Sequence, residues 1–178
     1  MKRYFDTEEE IEEALEVLSE IRCPTCGEKG TLLRHDYLWR SGGEANGMRG
    51  KRVYCNARAA GRKGCGRTST LWLSDTLSGR CLQAAALMRF ILGLLAGLSV
   101  WKAWRGAATG MTLRTGYRTF RRLVVQQSIL RTDLFGLSPP LLEPKEKTPL
   151  LATLNTLKEA FGMNAVSAYQ GTLQKAFP

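Results

Sequence analysis

Four cysteines in the first half of the chain have the residue type and spacing of a metal site. Cys23 and Cys26 stand in the run CPTCG, and Cys55 and Cys65 follow, the latter in the run CGRT, which gives C-x2-C-x28-C-x9-C. Gly27 is free to adopt the turn that points backbone N–H groups at the sulfurs. Four thiolates fill a tetrahedral site, so the spacing predicts one structural Zn²⁺ on these four cysteines.

The cysteines allow other interpretations. Nine residues between Cys55 and Cys65 is long for a zinc knuckle, and the four could be free thiols. His35, the single histidine, could replace Cys55 as a ligand, although we expect a packed or solvated side chain. Cys81 begins an apolar helix and is expected to be a core thiol rather than a ligand.

Basic side chains are concentrated in the middle of the chain. Residues 1–20 contain eight acidic and two basic residues, whereas residues 21–135 contain twenty basic and five acidic ones. The remaining residues are nearly neutral, and the whole chain carries a net charge of +10. A basic middle indicates a surface for a polyanion, double-stranded DNA first and RNA second; the alternative is a solvated basic surface without a partner.

The segment 113–131, LRTGYRTFRRLVVQQSILR, is predicted to be the helix that carries this surface, with Thr112 as its cap. We expect its apolar residues to pack on the first helix of the predicted motif: Leu113, Tyr117, Phe120 and Val124. On the other side we expect Arg114, Thr115 and Arg118 to reach base edges. Phosphate contacts are expected from further residues of this region and of the cysteine-bearing segment: Arg121, Arg122, Lys102, Arg58, Arg62, Lys63 and Arg67.

The elements that must position these residues give an α+β fold, a small zinc ribbon of short strands followed by a mainly helical helix-turn-helix with flanking helices. Predicted domains are an acidic amphipathic helix at 1–21, the ribbon at 22–74, the helix-turn-helix at 75–135, a proline-rich linker at 136–149 and a helical tail at 150–178.

Short strands are predicted inside the ribbon at Thr31–Leu33, Tyr37–Trp39, Lys51–Tyr54 and Thr68–Trp72. Helices are predicted at Leu82–Leu95, at VWKAWRGA after a Ser99 cap, and at 113–131, with the turn of the motif at residues 108–111.

The runs CPTCG, KRVYC and CGRTST, followed by a helix-turn-helix, resemble the N-terminal DNA-binding region of bacterial insertion-sequence transposases and the small zinc-finger regulators of such elements. The resemblance covers about residues 22–131 and implies DNA binding. The chain departs from the family pattern in the seven extra residues between Cys55 and Cys65, and in Ser69, where the family has phenylalanine.

The family's catalytic domain, with three spaced acidic metal ligands, has no counterpart in the 47 residues after Arg131. We therefore expect a DNA-binding accessory or regulatory protein that is not an enzyme. The alternatives are a subunit of a larger nucleoprotein complex, docking through its terminal helices, and an enzyme with zinc chemistry. The acidic start, unlike a secretory signal, predicts a cytoplasmic protein, and Arg89 within the apolar run 81–101 favours a buried helix over a membrane span.

Overall fold

A computed structural model describes residues 1–39, 47–56, 64–77, 82–107, 111–137 and 148–178, and its fold is α+β. The chain divides into two compact units. We call Met1–Cys81 with Gly171–Lys175 the ribbon unit, and Leu82–Gln170 with Ala176–Pro178 the helical unit.

The ribbon unit contains one four-stranded sheet. Its strands are β1 (Tyr4–Phe5), β2 (Leu32–Trp39), β3 (Met48–Cys55) and β4 (Thr68–Leu73), arranged in the order β1-β4-β3-β2. β1 runs parallel to β4, and the other pairs are antiparallel. Sequence periodicity did not predict β1, because two residues are too short to show an alternating pattern.

The two strands predicted at Thr31–Leu33 and Tyr37–Trp39 are in fact one strand, β2. Pairing with β3 continues on both sides of an irregularity between Arg34 and Tyr37, where His35 and Asp36 form a bulge. The polar pair interrupted the apolar alternation in the sequence, although the backbone stays extended through it.

Helix α1 (Glu8–Glu16) covers the sheet, and Thr7 caps its start, since the Thr7 side chain accepts a hydrogen bond from Glu10 N. The helix is shorter than the predicted segment 1–21 and ends five residues before its last residue, and the apolar stripe continues through turns. The core of the ribbon unit consists of buried side chains from the helix, the turns and the sheet: Phe5, Ile11, Leu15, Leu18, Cys23, Leu32, Met48, Val53, Cys55, Leu71 and Leu73.

The C-terminal segment of the ribbon unit closes the β1 side of this sheet through one side chain. Gln174 Oε1 accepts hydrogen bonds from the backbone N–H groups of Arg3 and Tyr4 at 2.6 and 2.9 Å, and its Nε2 donates to the Tyr4 carbonyl at 2.9 Å. The amide thus supplies the donor and acceptor that a neighbouring strand would offer.

The helical unit begins with α2 (Ala84–Leu95), α3 (Val100–Ala107) and α4 (Leu113–Phe135). α3 has the predicted bounds, α2 starts two residues later than predicted, and α4 continues four residues beyond its predicted end. Ser99 accepts a hydrogen bond from Lys102 N, as a cap does. Thr112 stands at the N-cap of α4, but its side chain makes no capping bond there.

The predicted helical tail forms α5 (Pro149–Phe161), a short 3-10 turn (Gly162–Asn164) and α6 (Ala165–Leu173). α5 packs on α2 and α4 and buries Leu150, Leu154 and Leu157. The turn expected at residues 108–111 and the linker expected at 136–149 lie mostly outside the described residues.

Arg89 has a clear place in the helical unit. Its Nε and Nη2 donate to the carbonyl oxygen of Ala107 at 3.2 and 3.1 Å, which satisfies a free acceptor at the C-terminal end of α3. Within the part of the chain that the structure describes, no helix combines the length and apolar character needed to cross a membrane.

Candidate metal centre and nucleic-acid interface

The four predicted cysteines converge in the ribbon unit, with all their sulfur atoms within 4.8 Å of one another. Cys23 Sγ lies 3.8 Å from Cys65 Sγ, and Cys26 Sγ lies 3.8 Å from Cys55 Sγ. These distances are far too long for disulfide bonds of about 2.05 Å. The cluster can therefore hold a metal ion on four thiolates.

The first pair of cysteines lies on a tight turn between α1 and β2. The N–H of Gly27 donates to the Cys23 carbonyl at 2.9 Å, and Gly27 has φ of 76°, a conformation that glycine adopts without steric cost. The N–H of Thr25 points at Cys23 Sγ at 3.4 Å. The run CPTCG thus folds as the knuckle that its sequence predicts.

The second pair repeats this turn despite the nine residues between its cysteines. The N–H of Gly66 donates to the Cys55 carbonyl at 3.0 Å, and Gly66 has φ of 73°, close to the value at Gly27. The N–H of Cys65 points at Cys55 Sγ at 3.2 Å. The additional residues therefore leave the ends of the knuckle in place; of this insertion, residues 57–63 lie outside the described residues.

Electrostatics at the cluster favours a thiolate on Cys23. Burial raises the pKa of this thiol, but hydrogen bonds from the N–H groups of Cys26 and Thr25 and from the thiols of Cys26 and Cys55 outweigh it and lower the pKa to about 6. Thr31 Oγ1 lies 3.2 Å from Cys55 Sγ and adds a polar contact to the buried side. The hydrogen bonds of the same cluster raise the pKa of the Cys26 thiol to about 11, so the thiolate is favoured on Cys23 rather than on Cys26.

The structure separates the histidine alternative from the cluster. His35 lies on the bulge of β2, where its Nδ1 pairs with Asp36 Oδ1 at 3.0 Å and its ring faces Tyr54. Asp36 also pairs with Arg52, so the histidine belongs to a surface network of the sheet. Cys81, the other alternative ligand, lies outside the described residues.

All four arginines expected on the recognition helix are exposed on α4. At 100° per residue they occupy a sector of about 100°, whose centre lies about 150° from the centre of the buried stripe. That stripe consists of Gly116, Thr119, Leu123, Leu130 and Leu134. Thr115, the fifth residue expected there, is half-buried at the border, with its Oγ1 3.2 Å from Thr112 Oγ1.

The face expected to pack on the first helix was predicted wrongly. Leu113, Tyr117 and Val124 are 36%, 52% and 38% exposed, and Phe120 is half-buried. The buried stripe is rotated by about 90° from them. The error arose because the large apolar residues were assumed to be the buried ones, whereas α4 buries a glycine and a threonine in its first two turns.

Gly116 explains this rotation, because it lets α4 approach the indole of Trp104 on α3. A Cβ atom at Gly116 would lie 2.5 Å from Trp104 Cγ, which is too close for any side chain. Trp104 is fully buried, stacks edge-on against Phe90 of α2, and donates from Nε1 to the Thr112 carbonyl at 3.1 Å. The indole therefore fixes the start of the arginine-bearing helix relative to α3.

The remaining predicted contacts are partly described. Lys102 is exposed on α3, and Arg67 is exposed beside the second knuckle. Arg58, Arg62 and Lys63 lie outside the described residues. Sequence reasoning missed Arg105, one helical turn after Lys102, which is exposed and lies over the Trp101 ring at 4.9 Å; its i+3 spacing from Lys102 was the available signal.

Comparison of the chain with protein-family models, with curated proteins and with solved structures finds no match.

Proposed function

We propose that this protein is a zinc-ribbon helix-turn-helix protein that binds double-stranded DNA, as an accessory or regulatory protein of a mobile element or a related bacterial system. The observation that carries the proposal is the exposed arginine stripe on the first ten residues of α4, directly after a short helix and a five-residue connection. This is the order in which a recognition helix follows its partner in a helix-turn-helix.

The distances in the cysteine cluster support zinc as the metal. Four sulfurs at about 2.3 Å from a tetrahedral Zn²⁺ lie about 3.8 Å from one another. Two of the sulfur pairs have this separation, and each knuckle points an N–H group at a sulfur. A site filled by four protein thiolates leaves no position for substrate, so the zinc would be structural.

The charges of the helical unit support a DNA groove as the ligand of α4. Arg114 and Arg118 lie on the first exposed turns, where a recognition helix reaches base edges, and Arg121 and Arg122 follow one turn later, where phosphates are expected. Lys102 on α3 adds a phosphate contact from the preceding helix.

The proposed role does not include DNA cleavage. Two of the acidic residues after Arg131 are described, and both are engaged in the helical unit: Asp133 accepts a hydrogen bond from the buried Tyr169 hydroxyl, and Glu159 accepts one from Asn155 Nδ2. Two-metal phosphoryl transfer needs several carboxylates that converge on one site. These two instead fill packing and surface roles.

A second candidate, a subunit of a larger nucleoprotein complex, rests on the acidic surface of α1, whose first turn carries Glu8, Glu9 and Glu10. The apolar faces of α1 and α5 are occupied by the cores of their own units, so a partner would contact the charged side. In that case the purified chain would bind duplex DNA weakly by itself and gain affinity within a complex.

A binding titration over a salt series tests the proposal, with Arg118→Ala and Arg122→Ala on a selected duplex and on random duplex. We expect Arg118→Ala to cost about 1–3 kcal/mol on the selected site and to relax preference at one position. Arg122→Ala should weaken both duplexes alike and lower the salt slope by about one. Wild-type binding of both DNAs by both variants would exclude α4 as the reading element.

A further inference from the structure

An exposed pair of stacked aromatic rings lies on β2, outside both the metal cluster and α4. The rings of Tyr37 and Trp39 have centroids 5.7 Å apart and planes inclined by 17°. Tyr37 is 50% exposed and Trp39 is 62% exposed, the most of the large apolar and aromatic side chains of the described ribbon unit. Neither ring contributes to the core of that unit.

The aromatic pair is held in place from the sheet side. Tyr37 is directly opposite Lys51 on β3, and the ammonium of Lys51 lies 4.0 Å from the centre of the Tyr37 ring. Lys51 is itself buried and paired with Glu12 of α1. The tyrosine ring thus rests on a fixed cation, so the surface that Trp39 extends is ordered before any ligand arrives.

The surroundings of the pair are basic. The described residues 29–39 and 47–56 contain five basic residues and a single acidic one, Asp36. Because Lys51 pairs with Glu12 and Arg52 pairs with Asp36, the net positive charge here comes from Lys29, Arg34 and Arg49. Arg34 is exposed on the same strand, and its partner in the sheet, Val53, points to the same face as Lys51. A protein interface would bring apolar residues around such rings, whereas here positive charges flank them, which suits phosphates.

We propose that Trp39, backed by the Tyr37 ring, offers its outer face as a platform on which unpaired bases of single-stranded DNA stack, with Arg34 contacting the phosphates. Flat aromatic surfaces beside positive charges bind single strands in this way, and the faces of paired bases inside a duplex are not accessible to them. The platform rests on the proposed function only in taking DNA rather than RNA as the strand.

The test uses the full, metal-loaded chain and fluorescence anisotropy of a labelled twelve-residue thymidine strand. Its control ligand is an abasic strand of the same length, which has the same phosphates and no bases. Trp39→Ala should weaken binding of the thymidine strand about tenfold or more and leave the abasic strand unchanged. Phe135→Ala, which removes an aromatic ring that is 64% exposed at the end of α4, should leave both unchanged.

Photo-crosslinking keeps the test independent of how the alanine variant folds. A strand with 5-iododeoxyuridine, irradiated on the wild-type protein, should attach to Trp39 or Tyr37 when the adducts are mapped by mass spectrometry. Attachment to other residues would contradict the proposed platform. Equal weakening of the binding of both strands by Trp39→Ala would contradict it as well.

Three further outcomes would also reject the assignment: unchanged binding of the thymidine strand by Trp39→Ala, a change of oligomeric state in that variant, and tighter binding of a uridine ribonucleotide strand than of the thymidine strand. The proposed duplex binding through α4 is tested separately. Duplex binding that is unchanged by Arg118→Ala would contradict that function and not the platform.

Discussion

The two units of this protein position their functional side chains by different means. In the ribbon unit, turns at Gly27 and Gly66 bring four cysteines together, and a bound metal would supply the attraction that holds them. In the helical unit, close helix crossings hold the arginine-bearing helix, and its arginines touch nothing in the core. We therefore expect the stability of the ribbon unit to depend on a bound metal, and that of the helical unit to depend on packing alone.

Removal of the metal should produce the largest difference in stability between the two units. Chelation should release one equivalent of zinc, measured by elemental analysis, and abolish hydrogen-exchange protection in β2, β3 and β4 while α2 and α4 stay protected. The lost binding free energy is roughly 10 kcal/mol or more. Acidification should act in the same direction, because protons compete with the metal for the thiolates. With the pKa of Cys23 lowered to about 6 in the metal-free cluster, this competition at Cys23 begins only below that pH.

The ligand assignment has its own control in the double variant Cys55→Ser, Cys65→Ser, which should bind no zinc. Full metal retention in this variant would contradict the assignment, and equal loss of protection in both units after chelation would remove the contrast between them.

The cysteine turns could be predicted from the sequence better than the buried face of α4, because the turns depend on neighbouring residues and the buried face depends on another helix. The knuckle of Cys23 and Cys26 is local, so five residues sufficed to predict it. The pairing of Cys55 with Cys65 was harder, because the insertion hides a turn that the Gly66 hydrogen bond shows to be intact. By contrast, the buried face of α4 depends on Trp104, a residue of another helix, and single-helix periodicity selected Tyr117 instead.

Substitution of Gly116 by alanine tests the packing side of the comparison. The new methyl group would meet the Trp104 ring at 2.5 Å, so we expect a loss of about 1–3 kcal/mol in the free energy of unfolding of the helical unit. The matched control is Gly106→Ala on α3, where nothing lies within 4 Å of the added atom. That variant should gain about 0.5–1 kcal/mol, because alanine is the better helix former.

Urea denaturation measures the free energy of unfolding of both glycine variants, and hydrogen exchange reports the protection of α4. The zinc content should stay at the wild-type value in each. If Gly116→Ala were as stable as Gly106→Ala, the close crossing of α3 and α4 would not be what positions the arginine stripe.

Arg89→Met should give the smallest effect. It removes the two hydrogen bonds to the Ala107 carbonyl and keeps a long apolar side chain, so we expect a loss of about 1 kcal/mol. Exchange of the α3 amides should rise while the ribbon unit is unchanged. Arg131→Met, at an exposed position of α4, is the control and should be neutral; similar losses in the two variants would mean that Arg89 acts through net charge rather than as a cap for α3.

The hydrogen bonds of Gln174 have a consequence for how the protein is made. During translation β1 emerges before the rest of the sheet, and the side chain that pairs with its backbone is synthesised 170 residues after Tyr4. Until then the N–H groups of Arg3 and Tyr4 are without this acceptor, and an open strand edge can pair with another nascent chain. Ribosome-bound chains stalled before residue 174 should therefore depend more on chaperones than the released protein does.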